Sequence, residues 1–209
     1  LGIEQPPPYV SSMKEAFFKT CPELGDQPYI LFLSRIHEKK GTDLLIQAYG
    51  KTYQENFPKL VVAGPGLDTP YGQKIKHLAA QTGQTNKSIF FPGMLSGEAK
   101  WGAFYHCDAF VLPSHQENFG IAVVEALACN KPVLISNQVN IWREIQAEGA
   151  GLVADNTEEG TKKLLSGWMD KSVSDKSEMG NKARRAFEKL YAIGPAAKHL
   201  MDTLQNKTI

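Results

Sequence analysis

Apolar runs of four or five residues recur along this chain, each followed by a polar loop and then by a stretch of helical periodicity. They are Tyr29-Ile-Leu-Phe-Leu33, Leu60-Val-Val-Ala63, Ser88-Ile-Phe-Phe91, Ala109-Phe-Val-Leu112 and Pro132-Val-Leu-Ile135, with a last short one at Gly151-Leu-Val-Ala154. A strand that is apolar at every position, instead of every second one, needs cover on both faces. Such strands separated by helices predict a parallel α/β sheet with helices on both sides, a Rossmann-like fold. Helices are expected at 43–53 behind an N-cap at Thr42, and at 71–81, 96–106, 121–128 and 140–148. Ser11 or Ser12 is expected to cap a short helix that runs to Lys19. Beyond Thr157 only helical patterns follow, at 158–171, 175–190 and 195–205, packing on the sheet edge or reaching to another domain. The prolines of Pro6-Pro-Pro8 favour extended backbone. Residues 1–28 therefore read as an interdomain linker with a short helix, 29–190 as the α/β domain and 191–209 as a C-terminal helix.

Bulk composition narrows the function. A chain of 209 residues with 42% hydrophobic content can build a sizeable core. Lysine plus arginine (23) nearly cancels aspartate plus glutamate (22), and no run of one sign appears, so no nucleic-acid or membrane footprint is written in the charge. Any anion must be bound locally. The three cysteines, Cys21, Cys107 and Cys129, are odd in number and far apart, which argues against a disulfide framework or a zinc site and suits a reducing cytoplasm. No stretch reaches the roughly 18 apolar residues of a membrane span, and no basic-then-apolar leader opens the chain. The chain begins at Leu1 without a methionine, so a piece of a longer protein is expected.

Ligands of open parallel sheets sit at the carboxyl ends of the strands, where the chain crosses into helices. Candidate residues gather in those crossings. Arg35 and Lys40 follow the first strand; together they suit a diphosphate, the arginine as a bidentate clamp and the lysine as a point charge, or else form a solvated basic turn. Gly64-Pro65-Gly66 lacks the glycine spacing of a phosphate loop and reads more simply as a tight turn. Gly93, Met94, Leu95 and Ser96 follow the third strand. After the fourth come Glu117, Asn118, Phe119 and Gly120, and then a helix, 121–128, that is apolar on nearly every side and is expected to be internal.

Glu125 lies in that apolar helix, and a carboxylate so placed must be answered by hydrogen bonds or a cation. Gly120 permits close backbone approach, and the helix start at Gly120 and Ile121 offers free amides to an anion. Glu125 could accept ribose hydroxyls or be satisfied by local amides; Glu117 could accept sugar hydroxyls, stabilise a cationic carbon or be a surface loop charge. His37 and His115 have no second ligand at metal spacing, and no protein-bound metal is expected. Ser34, Ser114 and Ser136 lack the nucleophile-elbow spacing of a serine hydrolase. Trp101, Phe104 and Tyr105 share a helix face and read as packing residues.

Glu117 and Glu125, with seven residues between them, resemble the paired-glutamate signature of retaining GT-B glycosyltransferases, family 4 or group 1. Pro113-Ser114, Glu117-Asn-Phe-Gly120, Glu125-Ala-Leu-Ala-Cys129 and Lys131-Pro-Val133 are similar to that family's text, as are Ser34-Arg35-Ile36 with Lys40-Gly41 and Ile89-Phe-Phe-Pro-Gly93. The resemblance covers about residues 31–154. It implies the C-terminal, donor-binding domain of an enzyme that moves a hexosyl unit from a nucleoside-diphosphate sugar to an acceptor hydroxyl, with retention.

Implied roles follow position by position. Arg35 and Lys40 would hold the diphosphate and stabilise its departure, aided by Gly120 and Ile121. Glu125 would hold the ribose, and Gly93, Met94, Leu95 and Ser96 the base through backbone. Glu117, Asn118, Phe119 and Gly120 would hold the donor sugar, with Glu117, Arg35 and Lys40 as the catalytic set. No cofactor is implied, and the acceptor (glycan, lipid or small molecule) would bind an N-terminal domain that this chain lacks, the only place for peripheral contact with the inner face of a membrane. Ser34 and Asn130 stand where the family commonly has glycine; Ser34 would narrow the approach to the phosphates, whereas asparagine tolerates the left-handed turn. A nucleotide-sugar 2-epimerase or a non-catalytic nucleotide-binding or docking module would share the donor grip.

Overall fold

The computed structural model describes residues 2–197 and 201. Six strands form one sheet in the order β3-β2-β1-β4-β5-β6, all neighbours parallel. They are β1 (Tyr29–Leu33), β2 (Lys59–Ala63), β3 (Ile89–Gly93), β4 (Ala109–Leu112), β5 (Val133–Ser136) and β6 (Gly151–Ala154). The helices are α1 (Ser11–Thr20), α2 (Thr42–Thr52), α3 (Pro70–Gln81), α4 (Gly97–His106), α5 (Ile121–Ala128), α6 (Trp142–Ala147), α7 (Glu158–Met169) and α8 (Val173–Ala186). The expected Rossmann-like architecture is present. Strand order reverses between β1 and β4, so two successive crossovers leave the sheet in opposite directions there and open a crevice at the carboxyl edge. Among the described residues no helix is long and apolar enough to cross a membrane.

β1, β4 and β5 are buried at nearly every position, which is why their sequences show no alternation. One core cluster runs from Phe17 through the sheet to Trp168, Phe187 and Tyr191. α1, in the segment read as a linker, packs on α4. Met13 and Phe17 are buried there, and a Cβ at Gly102 would stand 1.9 Å from the Met13 carbonyl oxygen. The phenol of the buried Tyr29 donates to the Ala103 carbonyl at 2.8 Å and ties α4 to β1.

Several local expectations are corrected. Neither Ser11 nor Ser12 caps α1: Val10, already extended at the end of the proline run, is the N-cap, and Ser12 Oγ donates to Glu98 at 3.1 Å instead. Thr42 is the first residue of α2, not its cap. Gly41 caps it with φ +66°, and an added Cβ there would lie 2.1 Å from the Pro113 carbonyl oxygen, so tertiary contact fixes the kink one residue earlier. The third strand starts at Ile89 and runs through Pro92 to Gly93; β3 is an edge strand, where a proline without an amide is tolerated. α6 begins at Trp142, after a turn in which the Trp142 amide donates to the Val139 carbonyl at 2.9 Å and the Asn140 amide to the Glu117 carbonyl at 3.0 Å.

The last helices also differ. α7 ends at Met169. α8 starts earlier, at Val173, behind a reciprocal cap between Ser172 and Asp175, and passes at Phe187–Tyr191 into one π-helical turn. Residues 193–197 and 201 are helical; the rest of the helix expected at 195–205 lies outside the described residues.

Gly102→Val forces a branched side chain against the α1 backbone. It is expected to lower unfolding free energy by about 2 kcal/mol in urea titrations, the cost of overpacking a filled contact. An unchanged midpoint would mean that α1 is not part of the cooperative unit.

Candidate functional site

The loops after β1 and β4 meet at the reversal of strand order, and a short set of hydrogen bonds fastens them. The Lys39 carbonyl accepts from Ser114 Oγ at 2.7 Å and from the His115 amide at 2.9 Å. Gly41 presses its backbone against Pro113, which leaves Lys40, the residue between, beside the acidic turn. Lys40 Nζ and Glu117 Oε2 form an ion pair with side chains only 14% and 19% exposed, better shielded than an ordinary surface bridge. The turn is held from the other side too: the Glu117 amide donates to the Gln138 carbonyl at 3.1 Å, and the Glu117 carbonyl accepts the Asn140 amide. Ser136 Oγ, buried, donates to the Ser114 carbonyl at 2.5 Å.

Gly120, with φ +69°, turns the chain into α5 without a side-chain cap. Among the described residues the amides of Gly120, Ile121 and Ala122 have no acceptor, so the positive end of the helix dipole faces outward. α5 is not internal on all sides, as its composition suggested. Val123, Val124 and Ala126–Ala128 are buried, whereas Ile121 is 60% exposed and, with Ala122 and Glu125, borders a cleft of about 580 Å³. Ser34, Lys100, Glu117 and Gly120 also line it.

The partner of Glu125 is a side chain that sequence reasoning missed. Lys100, one turn into α4, places Nζ 2.8 Å from Glu125 Oε1, and the same ammonium lies 4.2 Å from the centroid of the Trp101 ring. The signal available was the demand itself: a carboxylate in an apolar helix requires a nearby cation, and α4, like α5, starts at the carboxyl edge of the sheet.

Other candidates are placed less centrally. Arg35 is exposed and is not among the cleft-lining residues. Nor are Gly93 to Ser96: Met94 is 70% exposed, Leu95 is buried in the core and Ser96 is the N-cap of α4. Asn118 and Phe119 line the cleft, the Phe119 ring standing edge-on to Tyr191 with centroids 6.0 Å apart. Gly64 and Gly66 serve packing, since Cβ atoms there would fall 1.8 Å from the Ser34 carbonyl and 2.7 Å from that of Ile36. Asn130 adopts the left-handed conformation expected of it, φ +61°.

His37 caps the turn at 38–40, and His115 approaches Asn156 at 3.3 Å. Among the described residues no three histidine, cysteine, aspartate or glutamate side chains gather as a metal-holding group. The three thiols are buried and unpaired; burial pushes Cys107 and Cys129 up to about 12 and Cys21 to about 11. Nucleophilic thiolate chemistry is thereby disfavoured.

Sequence comparison places this geometry in a family. Residues 13–186 match the profile described as glycosyl transferases group 1. An uncharacterized glycosyltransferase of Methanocaldococcus jannaschii is 32% identical over 148 residues, 68% of this chain and 37% of that protein. A D-inositol 3-phosphate glycosyltransferase of Xylanimonas cellulosilytica is 28% identical over 190 residues, 88% of this chain and 43% of that protein. Among solved structures, a glycosyltransferase of Rickettsia africae superposes with a TM-score of 0.83 at 17% identity, covering 98% of this chain and 55% of that one. Anabaena HepE, solved with UDP-glucose, superposes with a TM-score of 0.78 at 15% identity, covering 95% of this chain and 54% of that one. The chain thus spans about half the length of the proteins it resembles. On the profile match, which takes in most of the sequence, the chain belongs to the group 1 glycosyl transferases.

Proposed function

We propose that this chain holds a nucleoside-diphosphate sugar in the cleft at the β1/β4 reversal and, together with a second domain, transfers its hexosyl unit to an acceptor hydroxyl with retention of configuration. One observation carries the reading: Glu117 and Glu125, each paired with a lysine, and an uncapped helix start converge on a single cleft at the strand switch point; Lys100 lines it, and Lys40 meets it through Glu117. That set supplies cations and amides for phosphates and acceptor oxygens for hydroxyls. A neighbour of the same fold, HepE, has been solved with UDP-glucose, which fits this class of ligand.

In this reading the β-phosphate displaces Glu117 from Lys40. The ammonium exchanges one anion for another, and the freed carboxylate turns to the donor-sugar hydroxyls with the amides of Asn118, Phe119 and Gly120. Arg35 folds in from its exposed position to the diphosphate, Glu125 accepts ribose hydroxyls, and Gly93 to Ser96 meet the base through backbone. During transfer the bond from the anomeric carbon to the phosphate oxygen breaks and the nucleotide leaves with the electron pair. Lys40, Arg35 and the amides at the start of α5 stabilise that charge, an electrostatic contribution that calls for no protein-bound metal. The acceptor oxygen bonds to the anomeric carbon and passes its proton to the departing diphosphate oxygen. The acceptor, a glycan, lipid or small molecule, is assigned to the second domain.

Thermal-shift measurements with UDP, GDP and ADP identify the base, because a ligand of the folded state alone raises apparent stability. Incubating the complete protein with labelled donor and mixed acceptors should yield a new glycoside; an isomerised donor would point to epimerisation, and neither product to a binding module. Lys40→Ala and Arg35→Ala are each expected to weaken nucleoside-diphosphate binding by about 1.5–3 kcal/mol, the worth of a charge-assisted contact. Full affinity in both variants would remove the diphosphate assignment. Glu117→Gln should cut turnover without weakening nucleotide binding, since it removes the anion that competes for Lys40; undiminished turnover would reduce Glu117 to a loop charge.

A further inference from the structure

We infer that Lys100 is a positioning residue that makes this cleft select ribonucleotides over 2′-deoxyribonucleotides, an inference that rests on the donor reading above. Glu125 has one carboxylate oxygen, Oε1, engaged by Lys100 Nζ at 2.8 Å, while among the described residues Oε2 has no hydrogen-bond partner. Its side chain is only 14% exposed, and what exposure remains opens onto the cleft. The carboxylate is therefore pinned at one oxygen and presents its remaining acceptor capacity to whatever enters. A carboxylate accepts and does not donate, so its natural complement is a pair of adjacent hydroxyls.

Lys100 itself has little freedom. It reaches Glu125 from α4, 25 residues earlier in the chain, and its ammonium rests on the face of Trp101 at 4.2 Å. A cation held by both a ring and a carboxylate loses fewer rotamers on each contact than one held by either alone. The α4 helix thus sets the angle at which Glu125, on α5, faces the ligand. A site organised around a hydroxyl rejects an analogue that lacks it, because the waiting acceptor is left unmatched.

The chain is titrated with UDP, GDP and ADP and with their 2′-deoxy counterparts, in wild-type, Lys100→Met and Lys100→Arg forms, with circular dichroism to confirm folding. The wild-type protein is expected to bind its preferred ribonucleotide at least about 10-fold tighter than the deoxy form. Lys100→Met is expected to bring that ratio below about 3-fold, and Lys100→Arg to restore most of it, because a guanidinium can still engage Oε1. A ratio unchanged in Lys100→Met overturns the inference and leaves the donor reading standing. Equal loss of ribo and deoxy affinity also overturns it, since Lys100 would then be a phosphate cation. No binding of any nucleoside diphosphate by the wild-type chain overturns both.

Discussion

The loop after β1 and the loop after β4 are joined through one backbone carbonyl, that of Lys39, which takes hydrogen bonds from Ser114 Oγ and the His115 amide. The geometry around the switch point follows from it. Gly41 has to be glycine because the joint brings Pro113 against it, and the residue between carbonyl and glycine is the lysine that answers Glu117. Ser136 extends the same chain of contacts to β5, and Gln138 and Asn140 clasp the Glu117 backbone on both sides. Buried polar groups in such a network cost free energy when left open, so each contact constrains the next.

The charges have a different logic. Ion pairs of intermediate burial contribute little net stability, because desolvation offsets much of the attraction. Their value at this cleft is placement. Each carboxylate is given a cation from a different crossover, Lys40 from the one after β1 and Lys100 from the one after β3, so the two acids are oriented independently of each other. The apolar face of α5 anchors both, since Val123, Val124 and Leu127 leave its axis little room to shift.

Much of this was legible in the sequence, and the reasons are local. β1, β4 and β5 are unbroken apolar runs, so their number, parallel pairing and double cover could be read directly. Glu117 and Glu125 stood out because each disagrees with its surroundings. Lys100 did not, since a lysine on a helix is unremarkable until another element supplies the carboxylate. The caps at Val10 and Gly41 were hidden for a related reason: serine and threonine are the better caps by propensity, but a proline run and the Pro113 contact decided the entry angle. Pro92 looked like a strand end because only the sheet order shows that β3 is an edge. The exposure of Arg35 and the placement of 93–96 outside the cleft lining depend on loop shape, which no periodicity encodes.

The contact between Gly64 and the Ser34 carbonyl separates two neighbouring positions by the kind of change each can absorb. Position 64 has no space for any Cβ, so it is closed to substitution whatever the ligand. Position 34 contributes only backbone to that contact, through its carbonyl and an amide that donates to Ala63 at 3.1 Å, while its residue lines the cleft. Its side chain can therefore vary without disturbing the sheet. A lineage could retune the width of the cleft at residue 34 alone, and a library that holds 64 fixed while randomising 34 would explore ligand fit at almost no cost in folding.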